Sequence, residues 1–162
     1  MSFVVGLMKS ITEILDGDEP VSDLYEYLET RASLEWPREW FVLDDLLHFY
    51  GRIYGGGLNH AISSASDGAI PLMLRLIHQY GASEVRAWAN QLETYFDGKV
   101  LHDERNIRLD WESEYTQSAP IPQFEELNKL AGEIERSLGF VLLGYVLEHR
   151  HAFEERSASG SN

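Results

Sequence analysis

Ser83-Glu-Val-Arg-Ala-Trp-Ala-Asn-Gln-Leu-Glu-Thr-Tyr-Phe96 is the stretch that shows the class of fold most plainly. Its apolar residues recur at steps of three and four, and they are Val85, Trp88, Ala89, Leu92, Tyr95 and Phe96. Residues at that spacing share one side of an α-helix, so the stretch predicts a helix with one buried face. Ser83 stands where an N-cap side chain would bind the first free amide groups.

The same helical period continues in both directions along the chain. We find no run in which apolar and polar residues alternate, as they do in a half-buried strand. Proline and glycine mark where helices begin or end, as at Pro20, Pro37 and Gly81. The predicted helices cover 3–15, 20–33, 38–54, 58–65, 69–80, 83–96, 103–115 and, without interruption, 123–155. The sequence therefore predicts an all-α, single-domain multi-helix bundle of about seven helices, with a long C-terminal helix that Gly139 could bend.

The length and composition of the chain favour one hydrophobic core. The chain has 162 residues, of which 44% are hydrophobic, and a domain of that length buries roughly two thirds of its unfolded surface. We assign 1–156 to a single domain and the small, polar residues 157–162 to a disordered tail. The most apolar run, Leu138 to Leu147, is too short for a membrane-spanning helix, which needs about 20 residues. Because the N-terminus lacks the basic start of a signal peptide and the chain has no Cys, we expect a cytoplasmic protein.

Negative charge is the strongest feature of the composition. The chain has 13 Lys and Arg against 27 Asp and Glu, a net charge of −14, whereas a small domain usually has a net charge of magnitude about 2–8. The surplus lies at both ends of the chain: the net charge is −8 over 1–50, zero over 51–100 and −6 over 101–162. Nucleic acid and anionic membranes would repel such a chain. We therefore expect its partner to be a positively charged protein, with no direct contact to nucleic acid or membrane.

Acidic residues follow a helical spacing in the first of these segments. Glu19, Asp23, Glu26 and Glu29 lie three or four residues apart, and no Lys or Arg occurs between Asp16 and Thr30. Side chains at that spacing share one helix face and lie about 5–6 Å apart, a separation of the same order as that of successive phosphates on a nucleic-acid strand. A solvated helix face, with acids near its positive end, is the alternative. The residues that we predict to bind the partner are Asp16, Asp18, Glu19, Asp23, Glu26, Glu29, Glu35, Glu39, Asp44 and Asp45.

The search for catalytic and metal-binding patterns identifies no site. Asp44 and His48 stand four residues apart on one predicted helix face, but no spacing marks a third metal ligand. The chain has no Gly-x-Ser-x-Gly turn for a nucleophile, and the triplet 55–57 of glycines has no following Lys-Ser or Lys-Thr to bind a phosphate. We therefore predict a protein that is not an enzyme and has no cofactor and no metal. A carboxylate site of unrecognised pattern is the enzymatic alternative.

Several short motifs follow one another in the middle of the chain: Tyr50-Gly-Arg-Ile-Tyr-Gly-Gly-Gly-Leu58-Asn-His60, Asp67-Gly68-Ala-Ile70, Tyr80-Gly81-Ala82, and Tyr95-Phe96-Asp97-Gly98-Lys99-Val100 with Arg105 beyond. Over 41–109 this order resembles a bacterial domain family of unknown function that includes a small acidic DNA-mimic protein. The family's motif turn corresponds to Gly55, Gly56, Gly57, Leu58 and His60. The chain departs from the family pattern where Gly55 replaces Asn, Leu58 replaces Phe, His60 replaces Gln and Asp97 replaces Pro.

The resemblance implies an all-α dimer that occupies the DNA-binding face of a transcription regulator by presenting carboxylates in place of phosphates. We accordingly predict an acidic DNA-mimic or anti-regulator protein that binds a basic DNA-binding protein. The alternative is an immunity protein that neutralises a basic toxin such as a nuclease. The apolar run of the C-terminal helix covers more than one helix face, which favours a homodimer. We predict that its interface includes Phe140, Leu143, Val146 and Leu147.

Overall fold

A computed structural model of the chain describes residues 9–97 and 99–159, with side chains up to residue 154. That part of the chain is all-α, as predicted, and it contains no strand. It has ten α-helices where we expected about seven, and one short 3-10 helix, Val100–His102, that the sequence did not predict. The α-helices are α1 Ile11–Leu15, α2 Pro20–Glu29, α3 Arg38–Gly56, α4 Leu58–Ser64, α5 Ala69–Tyr80, α6 Ser83–Phe96, α7 Arg105–Gln117, α8 Pro122–Glu133, α9 Glu135–Glu148 and α10 Arg150–Ser159.

The prediction of one long C-terminal helix is wrong, because the backbone leaves the helical conformation twice. The breaks lie at Ile134, with φ −106° and ψ 12°, and at His149, with φ −118° and ψ 27°, and Gly139 lies inside α9. Two tyrosines of α3 stabilise the first break. The Tyr54 hydroxyl donates to the carbonyl oxygen of Ala131 at 2.8 Å, and the Tyr50 hydroxyl donates to that of Glu135 at 3.0 Å. These bonds satisfy carbonyl groups on both sides of the break.

Other helix ends differ from the prediction by a few residues. Helix α1 begins after Ser10, whose hydroxyl accepts the Glu13 N–H at 3.2 Å in a capping box; the predicted start, at 3–8, lies outside the described residues. Helix α2 ends at Glu29, before the predicted end at residue 33, and Ala82, not Ser83, is the N-cap of α6. Helix α10 includes 157–159, which we had assigned to a disordered tail, and 160–162 lie outside the described residues.

The glycine triplet forms a tighter turn than the sequence indicated. Helix α3 continues through Gly56, and only Gly57 leaves it, with φ +93°. Such a φ is strained for any residue with a Cβ, so the turn requires glycine here. The N–H of buried Leu58 then donates to Oδ1 of Asn128 at 3.0 Å, so the start of α4 is held against α8.

Helix α9 lies in the hydrophobic core. Leu138, Val141, Leu142 and Val146 are buried, and the helix packs against α2, α3 and α5. At its C-terminal end, Glu148 accepts hydrogen bonds from the Arg75 guanidinium of α5 at 2.8 and 3.0 Å and from the Tyr80 hydroxyl at 2.8 Å. The bonds from Arg75, with that from Tyr80, lower the pKa of Glu148 to about 2.

A buried arginine joins α7 to the end of α4. Arg108 is only 1% exposed, and its guanidinium donates to the carbonyl oxygens of Ile62, Ala65 and Asp103 and to Oδ1 of Asp67. The last carbonyl groups of a helix have no partner within it. Arg108 therefore caps α4 with a charged side chain, and sequence reasoning did not identify this role.

The first and last described helices meet. The Arg150 guanidinium of α10 donates to the Thr12 hydroxyl of α1 at 3.0 Å, and the Tyr27 hydroxyl of α2 donates to the carbonyl oxygen of Phe153 at 2.8 Å. The rings of Tyr27, Trp40 and Phe153 pack together in the core beneath these bonds. Helices α1, α2 and α10 are therefore held together at one end of the molecule.

Candidate protein-binding surface

Helix α2 separates its apolar and acidic residues as an amphipathic helix does. Pro20, Leu24, Tyr27 and Leu28 are buried, whereas Glu26 and Glu29 are exposed on the opposite side. Glu19 is the N-cap residue and is also exposed, at the end of the helix where a negative charge is favourable. Three acids of the predicted row therefore face solvent.

The fourth member of that row, Asp23, does not face solvent. Its side chain is 7% exposed and accepts two hydrogen bonds from the Lys9 ammonium, at 3.0 and 3.1 Å. The prediction that Asp23 binds a partner is wrong, because a carboxylate that is buried and already paired cannot meet a second cation. The acidic row on α2 therefore has a gap between Glu19 and Glu26, and it is less regular than a run of phosphates.

The remaining predicted acids are divided between loops and α3. Asp16, Asp18 and Glu35 are exposed in the connections that precede and follow α2, and Asp45 is exposed on α3. Asp44 is half-buried beside His48, whose Nδ1 lies 3.5 Å from its Oδ2. Glu39 is half-buried as well. Burial, with the charge of Glu39 adding to it, raises the pKa of Tyr145 on α9 to about 12.

Few cations in this part of the chain offset the exposed acids. Lys9 is paired with Asp23, and Arg31 is buried, with its guanidinium 3.7 Å from the centre of the Tyr27 ring. Arg38 is exposed and has no ion pair with another described residue. The same holds for Asp16, Asp18, Glu19, Glu26, Glu29, Glu35 and Asp45, which we call the acidic set. Helix α2 contacts both α1 and α3, and these helices with their connections position this set.

An exposed aromatic residue lies beside the acidic set, and sequence reasoning did not single it out. Phe41 is 56% exposed, and its ring centre lies 5.2 Å from that of Trp36. Phe41 falls on the polar side of α3, with Asp44, Asp45 and His48 at steps of three, four and seven. A large apolar residue in the polar arc of an amphipathic helix is the signal that could have found it.

A second aromatic side chain borders the same side of α3. Tyr25 of α2 is 37% exposed, and its hydroxyl donates to the carbonyl oxygen of Leu47 at 2.7 Å. Burial, and then the charge of Asp44, raises the pKa of Tyr25. The outward side of α3 therefore combines carboxylates with aromatic rings.

The other predicted site residues lie at the junction of α3 and α4 and on α9. Gly55, Gly56, Gly57 and Leu58 form the junction of α3 and α4, and His60 is exposed with its Nδ1 3.3 Å from the Ser64 hydroxyl. In the predicted dimer interface, Phe140 and Leu147 are exposed and Leu143 is half-buried. Val146 is fully buried in the core, so its assignment to an interface is wrong.

Neither metal ligands nor paired catalytic groups come together in the part of the chain that the structure describes. No three His, Asp or Glu side chains there are placed to hold one ion. An open groove of about 650 Å³ between α6 and α8 is lined by one carboxylate, Glu126, among amide, hydroxyl and apolar side chains. None of the described helices has the length and apolar character needed to cross a membrane.

No family model, no curated protein and no solved structure matches the chain. The resemblance of 41–109 to the family that includes a DNA-mimic protein therefore stays a prediction.

Proposed function

We propose that this chain is an acidic DNA-mimic or anti-regulator protein, which binds the nucleic-acid-binding face of a basic DNA-binding protein such as a transcription regulator. One observation carries the proposal: the carboxylates of the acidic set are exposed and form no ion pair with a described residue, while Lys9 is paired with Asp23 and Arg31 is buried. Unpaired surface carboxylates are available to the Lys and Arg side chains that otherwise contact phosphates.

Electrostatics also supports a protein partner over other classes. A net charge of −14 repels nucleic acid and anionic membrane, and it accelerates association with a positively charged protein at low salt. Because Asp23 interrupts the row on α2, we propose contact through separate groups of carboxylates rather than through a regular phosphate-like array. The complex would have the strong salt dependence of exposed charge pairs, which are screened beyond about 10 Å at 0.1 M salt.

The test is affinity capture from the native host. The full chain is immobilised, a nuclease-treated lysate is applied at low salt, and bound proteins are released in a salt gradient and identified by mass spectrometry. We expect a basic DNA-binding protein that elutes with rising salt and that DNA duplex displaces. Recovery of a basic nuclease toxin would instead support the immunity function, and recovery of no nucleic-acid-binding protein would contradict the proposal.

Matched variants then show whether the acidic set makes the contact. Replacing Glu26, Glu29 and Asp45 by Gln, Gln and Asn removes three negative charges from the set, and replacing Asp110, Glu114 and Glu126 in the same way removes three from exposed sites on α7 and α8. The first variant should weaken binding of the captured protein about tenfold or more, and the second should have a much smaller effect. Equal weakening would mean that only net charge matters and that the acidic set is not the binding surface.

We further propose that the protein is a homodimer whose interface includes Phe140, Leu143 and Leu147 of α9. The supporting observation is that Phe140 and Leu147 are exposed on the same helix, 37% and 50% respectively. Light scattering tests this directly, because a mass near 18.5 kDa would correspond to one chain and would contradict the dimer.

A further inference from the structure

The aromatic pair at the start of α3 is accessible from solvent. Phe41 is 56% exposed, and its ring lies against that of Trp36, with 5.2 Å between the ring centres. Two contacts fix the position of Trp36. Its ring centre lies 6.2 Å from that of fully buried Trp40, and its indole N–H donates to the carbonyl oxygen of Arg31 at 2.9 Å. Trp36 therefore supports the exposed Phe41 ring, which reduces the entropy lost when a partner binds.

Two carboxylates lie beside Phe41 on the same helix. Asp44 and Asp45 follow it by three and four residues, and side chains at those steps have Cβ atoms about 5–6 Å apart. Asp45 is exposed, and Asp44 keeps one oxygen beside His48. A cation above the Phe41 ring would therefore lie within reach of a carboxylate as well.

Among the described residues, no cation lies over the Phe41 ring. The cation–π contacts among the described residues are those of Arg31 with Tyr27 and of Arg136 with Phe140, at 3.7 and 5.9 Å. Arg52, which shares the outward side of α3, donates instead to the carbonyl oxygen of Ser64 at 2.8 Å. Phe140, which is also exposed, thus has a cation near its ring, whereas Phe41 has none from the described part of the chain.

We infer that Phe41, with Trp36 and the carboxylates of Asp44 and Asp45, is a docking site for an arginine side chain of the protein partner. This inference rests on the proposed function and specifies the partner's chemistry: its basic surface contacts α3 through arginine rather than through lysine. The planar guanidinium can stack on an aromatic ring while its edge donates two parallel hydrogen bonds to a carboxylate. A lysine ammonium is a point charge that satisfies only one of these contacts well.

The experiment compares two fluorescein-labelled peptides that differ only in having arginine or lysine at every charged position. Their affinities for the full-length chain are measured by fluorescence anisotropy at low salt and at about 0.15 M salt. Two variants are compared with the unmodified chain. Phe41→Leu removes the exposed ring and keeps an apolar side chain, and Ile107→Ala shortens an apolar side chain that is 50% exposed on α7; circular dichroism and urea unfolding verify that both fold. Ile107→Ala is the control, since α7 contains no residue of the acidic set or of the proposed dimer interface.

We expect the arginine peptide to bind the unmodified chain about threefold more tightly than the lysine peptide, which is the size of an exposed cation–π contact. Phe41→Leu should reduce this preference to about one, and Ile107→Ala should leave it unchanged. Equal affinities for the two peptides, or a preference that survives Phe41→Leu, would overturn the arginine site and leave the proposed function standing. If neither peptide binds at low salt, both the inference and the proposed function fail.

Discussion

Two charged regions of the molecule differ in their surroundings. At the junction of α4 and α7, the guanidinium of Arg108 is buried and binds carbonyl oxygens and the carboxylate of Asp67. Along α1, α2 and α3, the acidic set is exposed to solvent and forms no ion pair with a described residue. The first charge is needed to complete the fold, since it satisfies the last carbonyl groups of α4. The second group of charges repels itself and contributes nothing comparable to folding. The difference indicates which charges are available for binding, and stability measurements can test it.

Arg108→Leu should have the largest effect. The change leaves the carbonyl groups of Ile62 and Ala65 buried without a donor, so we expect a loss of about 3 kcal/mol in the free energy of unfolding. Urea unfolding followed by circular dichroism measures the loss. Arg105→Gln, at an exposed position of the same helix, is the control and should change stability by less than about 0.5 kcal/mol. A small effect of Arg108→Leu would remove the distinction between the two regions.

Glu148→Gln extends the comparison to a paired acid at the end of α9. The Arg75 hydrogen bonds lower the pKa of Glu148 from 4.5 to about 2, so its carboxylate stabilises the folded chain above pH 4.5 and loses that effect as the pH falls through about 2. Because solvent partly screens this pair, we expect a loss of about 1 kcal/mol at pH 7. The difference from the unmodified chain should shrink as the pH is lowered below 4.5.

The corresponding control for Glu148 is Glu133→Gln. Glu133 is exposed on α8 and forms no ion pair with a described residue, so its replacement should show no comparable pH dependence. A pH-independent loss in Glu148→Gln would mean that the hydrogen bonds, and not the charge, stabilise this end of α9.

The double change Glu26→Gln and Glu29→Gln should have the smallest effect and the opposite sign. Both carboxylates lie in the C-terminal half of α2, where the helix dipole disfavours negative charge, and they repel each other. We expect a gain of about 0.5 kcal/mol in the free energy of unfolding at low salt, declining as salt is added. A loss of stability in thermal or urea unfolding would show that these acids have a structural role and would weaken their assignment to partner binding.

Local signals in the sequence were enough to predict some of the helices closely. Helix α5 occupies the predicted range, and α4 and α6 match theirs to within one residue. The signals used there, glycine at a helix end and the apolar period along the helix, depend only on residues that are close in sequence. The break at Ile134 depends instead on the hydroxyls of Tyr50 and Tyr54, which are 85 and 77 residues away from the carbonyl groups they bind. A periodicity argument does not detect partners that are distant along the chain.

The same limit explains what was right and wrong about the acidic residues. Glu26, Glu29 and Asp45 are exposed because helical spacing alone determines which side of α2 or α3 they occupy. Asp23 was misjudged because its partner, Lys9, comes from a segment 14 residues earlier. The exposure of Phe41 follows from the spacing of α3, but hydrophobic composition by itself suggested burial there.

The bonds between Thr12 and Arg150 and between Tyr27 and Phe153 have a consequence for how the protein matures. Helix α2 leaves the ribosome long before α10 is synthesised, so during translation it lacks the contacts that fasten it from the far end of the chain. The acidic helices would therefore acquire their final arrangement only after α10 has been synthesised.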